Sequence, residues 1–196
     1  MKKDFKFNNR ASSYDKGFEG KFSKKFYNLL LNQIELKDGD NLLDVGCGTG
    51  KILRELSDKY DINGYGIDVE ENMVKIAKEK CPNMNIQISN SDKMPFVDNK
   101  FDILTACMAY HHFDDKISFA EEAGRVMKIG AYLYIVDPKF PKIIRIIMNS
   151  TLKQIGIVGK FETSQEIYNT FEEFGFELIE SESDSYAQLV KLKKVK

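Results

Sequence analysis

Three glycines alternate in the stretch LLDVGCGTG, at Gly46, Gly48 and Gly50, directly after a short apolar run that carries an acid, Asp44. Glycine in such a pattern serves backbone angles closed to other residues, or leaves room for something pressed against the main chain. A glycine turn after a strand suits a dinucleotide, whose pyrophosphate rests on a helix N-terminus, or a ligand of different charge. The dinucleotide fingerprint G-x-G-x-x-G needs a third glycine so that helix and strand can approach. Counted from Gly46 that position is Lys51, and counted from Gly48 it is Leu53. Neither registration works. Asp44 beside the turn would also repel a pyrophosphate and attract an ammonium or sulfonium group. Asp68, further on in GYGID, stands where a carboxylate can accept both hydroxyls of a ribose. The expected ligand is therefore a nucleoside without a pyrophosphate.

His111 and His112 are the only histidines and are adjacent. Imidazole titrates near neutral pH and is a competent general base for an acceptor hydroxyl. His112, beside Phe113, is the preferred base and His111 the alternative; the competing role for either is packing against the cofactor. Cys47, Cys81 and Cys107 are odd in number and widely spaced, without CxxC or Cys/His metal spacing, so no metal site is expected. Reduced thiols and a cytoplasmic location follow. Cys47 has no evident base nearby and reads as a small residue filling the turn.

These residues need elements to hold them, and the patterns alternate between strand and helix. Ser23 to Leu36 has helical apolar spacing. Asn41 to Val45 reads as a strand, followed by a helix with Ile52, Leu56 and Tyr60 on one face. INGYGID is a second strand ending at Asp68, and the helix through Met73 stops at Pro82. MNIQIS and FDILTAC are strands three and four, with a helix striped by Ile117, Ala120, Gly124 and Met127 after them. AYLYIVD, ending at Asp137, is the fifth. Thr163 to Glu166 has the form of a capping box, opening a helix with Ile167, Phe171 and Phe174 inward and Gly175 as its cap. FELIE and YAQLVKL, joined by the polar SESDS, form an antiparallel pair. The alternation implies an α/β fold: a parallel sheet with helices on both faces and ligands beyond the carboxyl ends of the strands.

At 196 residues the chain suits a single domain, and its formal net charge of −1 leaves no overall electrostatic footprint for nucleic acid or an anionic membrane. No apolar run is long enough to span a bilayer, so no membrane insertion is expected.

LLDVGCGTG, GIDVEENMVKIAKEK, MPFVDNKFDILTACMAYHHF, EEAGRVMKIGAYLYIVD and FGFELIE together resemble the class I S-adenosylmethionine-dependent methyltransferases. The resemblance covers almost the whole chain. It is nearest to the small-molecule branch that includes quinone-biosynthesis methyltransferases, whose A-x-x-YD-like opening is ASSYD here. It implies a Rossmann-like methyltransferase fold over residues 1–196, a seven-stranded mostly parallel sheet of order 3-2-1-4-5-7-6 with strand 7 antiparallel. It implies S-adenosylmethionine as cofactor, a small acceptor with some apolar character, and no nucleic-acid partner. CMAYHH stands where nucleic-acid amino-methyltransferases carry an Asn/Asp-Pro-Pro-aromatic motif.

The same resemblance assigns Asp44 and the backbone of Gly46 and Gly48 to the methionyl end, with Cys47, Gly50 and Cys107 lining the cofactor pocket. Asp68 would take the ribose, and Val69 and Met73 the adenine face. The family's Asp-Ala pair after strand three is Asn90-Ser91 here, with Asp92 the candidate if the loop is shifted; an Asn oxygen and a Ser N–H still serve an adenine edge. Residues 1–36 would form an N-terminal lid and helix, with Tyr14 over the cofactor and Arg10 on its carboxylate. Residues 141–160 would face the acceptor. Their stripe of Ile143/Ile144, Ile147/Met148 and Leu152/Ile155 reads as a core helix or as a pocket wall or dimer face. Arg145 lies off the stripe, where it could meet an anionic acceptor. The usual KPGG reads KIGA here, a difference expected to affect a turn.

Overall fold

The computed structural model describes residues 18–154 and 159–196. The elements run α1 (Phe18–Gln33), β1 (Asn41–Val45), α2 (Lys51–Ser57), β2 (Asn63–Asp68), α3 (Glu71–Lys80), β3 (Asn85–Ile88) and β4 (Phe101–Cys107). After a single turn of 3-10 helix at Tyr110–His112 come α4 (Lys116–Val126), β5 (Met127–Pro138), α5 (Lys142–Gln154), α6 (Ser164–Glu172), β6 (Phe176–Asp184) and β7 (Ala187–Lys194).

The strands form one seven-stranded sheet in the order β3-β2-β1-β4-β5-β7-β6. Pairings among β1 to β5 are parallel, and β7 is antiparallel to both β5 and β6. Side chains alternate across the strands, so each face has its own core. One face buries Leu43, Leu104, Leu133 and Val190 under Phe119, Ala120 and Ala123 of α4 and Ile167 and Phe171 of α6. The other buries Leu42, Ile103, Tyr134 and Leu189 under Phe26 and Leu30 of α1, Leu53 and Leu56 of α2, and Val74 and Ala77 of α3.

Several local expectations shift. The α4 face is Phe119, Ala120, Ala123 and Val126, and Ile117 is exposed, because the helix begins at Lys116 behind an Asp115 cap that points Ile117 outward. The KIGA segment is no turn. Lys128 to Ala131 lie inside the long β5, whose register against β4 breaks between Phe101 and Ile103, with Gly130 at φ +87°. The capping box forms as read: Glu166 N–H donates to Thr163 Oγ1 at 3.2 Å, and Thr163 N–H to Glu166 Oε2 at 2.7 Å. The core-helix reading does not hold for the described part of 141–160, since no residue of α5 is buried; Ile155 lies outside the described residues.

Candidate active site

The ends of β1, β2 and β4 meet where the glycines lie, and each glycine does something different. Gly46 has φ +74°, and a Cβ there would lie 2.5 Å from the Ala109 Cβ. Its neighbour is the chain itself, so this glycine lets the β1 and β4 loops touch. Gly50, at φ +74°, presses against Ala77 of α3 and thereby seats α2 on α3. Of the three only Gly48, at φ +52°, faces open space, with no atom of the described residues within 4 Å of where a Cβ would stand.

Two acids flank that space. Asp44 is buried and paired in register with Thr105 of β4, whose hydroxyl donates to Asp44 Oδ1 at 2.7 Å. Burial, offset in part by Thr105 and reinforced by the charge of Asp68, pushes the Asp44 carboxyl up to about 7. Asp68 accepts from Gly48 N–H at 2.8 Å and from Glu70 N–H at 2.9 Å, yet burial still raises its pKa. A buried and a half-buried acid, both with raised pKa values, have their charge stabilised by a ligand that brings a cation and hydroxyls. A sulfonium nucleoside meets that requirement and a pyrophosphate does not.

The remaining cofactor candidates gather around this pair. Val69 is exposed directly after Asp68, and Met73 is buried in the first turn of α3. Asn90, Ser91 and Asp92 follow β3, whose Ile88 is in register with Asp68. The Ser89 hydroxyl bonds the carbonyls of Asn90 and Lys93, and Arg125 grips the carbonyls of Met94 and Phe96 while Glu122 takes Met94 N–H. The MPF loop is thus clamped by the acid and base of EEAGRV. Cys47 and Cys107 are buried, and burial first, then Asp44, pushes both thiols well above their ordinary range. They are packing thiols, as their lack of a base neighbour suggests. Arg10 and Tyr14 lie outside the described residues, as do all of residues 1–17 of the lid and helix expected over 1–36.

On the acceptor side the two histidines part company. His111 is buried; its Nδ1 lies 2.8 Å from Asp137 Oδ1, and its ring stacks on Phe161 with centroids 5.0 Å apart. His112 is exposed, its ring 3.9 Å from that of His111. A carboxylate on Nδ1 fixes the tautomer with the proton there and leaves the lone pair on Nε2. Arg145 is not free for an anion: its guanidinium is bound by Glu166.

Thr105, Phe161 and the His111–Asp137 pairing escape sequence reading, because each depends on strand register or loop closure. Met108, at the end of β4, also adopts a left-handed backbone at φ +57°, with its N–H on Val136 O at 2.8 Å. No local signal marks a methionine for that conformation.

A seven-stranded sheet of this order, with acids at the ends of its first two strands around an open glycine turn, defines the Rossmann-like methyltransferase fold. Residues 43–135 match a methyltransferase-domain family. A demethylmenaquinone methyltransferase of Staphylococcus carnosus is 33% identical over 147 residues, 70% of this chain and 60% of that protein. That of Chlorobaculum parvum is 31% identical over 56% of this chain and 46% of its own length, so the chain spans about half the length of the curated relatives it matches. A SAM-dependent methyltransferase from Aquifex aeolicus superposes with a TM-score of 0.75 at 26% identity, covering 96% of this chain and 98% of that one. A chain from the Haloferax volcanii complex of the Trm112 methyltransferase activator with a methyltransferase has a TM-score of 0.84 at 20% identity, covering 97% and 98%; that likeness is one of fold. The chain belongs to the class I S-adenosylmethionine-dependent methyltransferases.

Proposed function

We propose that the chain transfers the methyl group of S-adenosylmethionine to a small acceptor of apolar character, and that His111, oriented by Asp137, removes the acceptor's proton. The observation that carries the cofactor half is the pair of acids with raised pKa values, buried Asp44 and half-buried Asp68, beside the space at Gly48. Asp44 with the Gly46–Gly48 backbone holds the methionyl end, and Asp68 holds the ribose. Val69 and Met73 flank the adenine, with Asn90, Ser91 or Asp92 at its edge. Bound S-adenosylmethionine supplies an activated methyl group, so the chain's task is positioning and exclusion of water more than covalent chemistry.

His111 replaces His112 as the proposed base because it has the carboxylate partner. The relatives named for demethylmenaquinone support a small apolar acceptor. The spacing of the glycines, with Lys51 at the fingerprint's third position, argues against a nicotinamide oxidoreductase.

Calorimetry with S-adenosylmethionine and with NADH tests the cofactor, and labelled methyl transfer into aqueous and lipid extracts tests the reaction. S-adenosylmethionine should bind and NADH should not. Tight NADH binding alone overturns the reading; cofactor binding with no methylated product in either extract leaves a non-catalytic binding module.

A further inference from the structure

Helix α5 is built inside out. At 3.6 residues per turn, Arg145, Met148, Asn149 and Leu152 share one face and Ile143, Ile144, Ile146 and Ile147 the other. The polar residues of the first face are turned inward. Arg145 is bound by Glu166, while Asn149 Nδ2 donates to Phe161 O and Phe161 N–H donates to Asn149 Oδ1, both at 2.9 Å. The isoleucines face out, with 74%, 47%, 57% and 59% of their surface exposed in sequence order. A soluble helix ordinarily does the reverse. The inner hydrogen bonds fix this orientation, so the apolar stripe is presented by design of the fold.

Charge selects what covers it. From Pro138 to Phe161 the sequence contains no acid, and its charges are Lys139, Lys142, Arg145, Lys153 and Lys160, in a chain whose net charge is −1. The acids nearest this segment along the chain, Asp137, Glu162 and Glu166, are engaged by His111, by Lys116 and Lys160, and by Arg145. Among the described residues no ion pair involves Lys142 or Lys153, which flank the isoleucine stripe. An apolar stripe with a basic margin suits an anionic lipid surface, where the isoleucines enter the headgroup–acyl boundary and the lysines meet phosphates. A second copy of the chain would bring the same basic margin against itself.

We propose that α5 is an interfacial helix that docks the protein on anionic phospholipid. Phe161 links the helix to the site: held by Asn149 from α5, it stacks on His111. Docking through α5 therefore puts the His111 side next to the bilayer, where an apolar acceptor dissolves. That last step rests on the function proposed above; the docking itself does not, and is tested without cofactor or acceptor.

The test is co-flotation with vesicles of phosphatidylcholine alone or mixed two-to-one with phosphatidylglycerol. The native chain should bind the mixed vesicles. Ile143→Glu/Ile147→Glu should weaken that binding at least tenfold, and Lys142→Glu/Lys153→Glu by about fivefold or more per lysine, an effect that fades with salt. Thermal midpoint and S-adenosylmethionine affinity should stay unchanged in both, since the sites are exposed. Failure of the native chain to bind mixed vesicles overturns the proposal, as does binding that both double variants retain. A dimer by light scattering that Ile143→Glu/Ile147→Glu dissolves would assign the face to a second copy instead. An unfolded variant is replaced by Ile143→Ser/Ile147→Ser, for which the same loss of binding is required.

Discussion

The two ends of the ligand cleft are made of different material. On the cofactor side the backbone does the work: glycine angles, strand ends and two acids, one buried and one half-buried, set the shape, and few side chains project. On the side proposed for the acceptor the work falls to side chains on connections: a histidine held by Asp137, an aromatic stacked on it, and a helix whose apolar face is left outside. The first arrangement recognises one invariable ligand and tolerates little change. The second can be rewritten by substituting a loop, as expected where one cofactor must serve many acceptors.

The largest expected effect lies on the acceptor side. His111→Ala should lower turnover about 100- to 10,000-fold if the acceptor must lose a proton, while cofactor affinity stays within a few-fold. Asp137→Asn should fall in the same direction, and His112→Ala should stay near the native rate. Steady-state kinetics beside calorimetry on the same variants decide this, and the reverse order of the two histidines returns the base to His112.

Gly46 and Gly48 sharpen the contrast within the cofactor side. Gly46→Ala meets the Ala109 Cβ and an unfavourable φ, so denaturant unfolding should show a loss of about 2–4 kcal/mol. Gly48→Ala meets no neighbour and should cost only the strain of its φ, about 1 kcal/mol. Equal losses would mean that the space at Gly48 is not open.

Asp68→Ala should raise the dissociation constant for S-adenosylmethionine at least tenfold, because two charge-assisted hydrogen bonds of about 1.5–3 kcal/mol each are lost. Unchanged affinity in a folded variant removes the ribose role.

The last test is the pH response of Asp44, whose carboxyl lies at about 7 when folded against an ordinary 3.8. Between those values the folded chain holds a proton that the unfolded chain has released. The contribution to stability is therefore complete below 3.8, falls as pH rises toward 7, and then levels. A cationic ligand prefers the ionised acid, so its affinity should move the other way, weakening up to about tenfold for each unit below the folded value. Asp44→Asn should flatten the stability profile in thermal melts. A native profile without slope in that window contradicts the burial argument.

Sequence reading reached the fold because strand–helix alternation and a short polar turn leave few topologies, and it singled out Asp44 and the glycines because they share one motif and Asp68 because it ends the next strand. It assigned all three glycines to the ligand and missed a second demand on two of them: Gly46 and Gly50 also answer to Ala109 and Ala77, residues remote in sequence that only the folded loops bring near. Asp137 was visible as a strand end, but its partner was not, since the contact with His111 depends on β4 and β5 lying side by side. The stripe in α5 was read as a core helix or as a pocket wall or dimer face; the core reading fails and Met148 and Leu152 fall on the face of Arg145, because periodicity finds a face without fixing its limits or which way it points.

The position of β7 has a consequence for how the chain is made. The last strand lies between β5 and β6 and sends Leu189 into one core and Val190 and Leu192 into the other. While the polypeptide emerges from the ribosome, β5 must wait with its outer edge unpaired until some fifty residues more have been synthesised. A chain that fills an interior strand last cannot fold piecemeal from its N-terminus, and the exposed edge of β5 in the meantime is a surface for chaperones to cover.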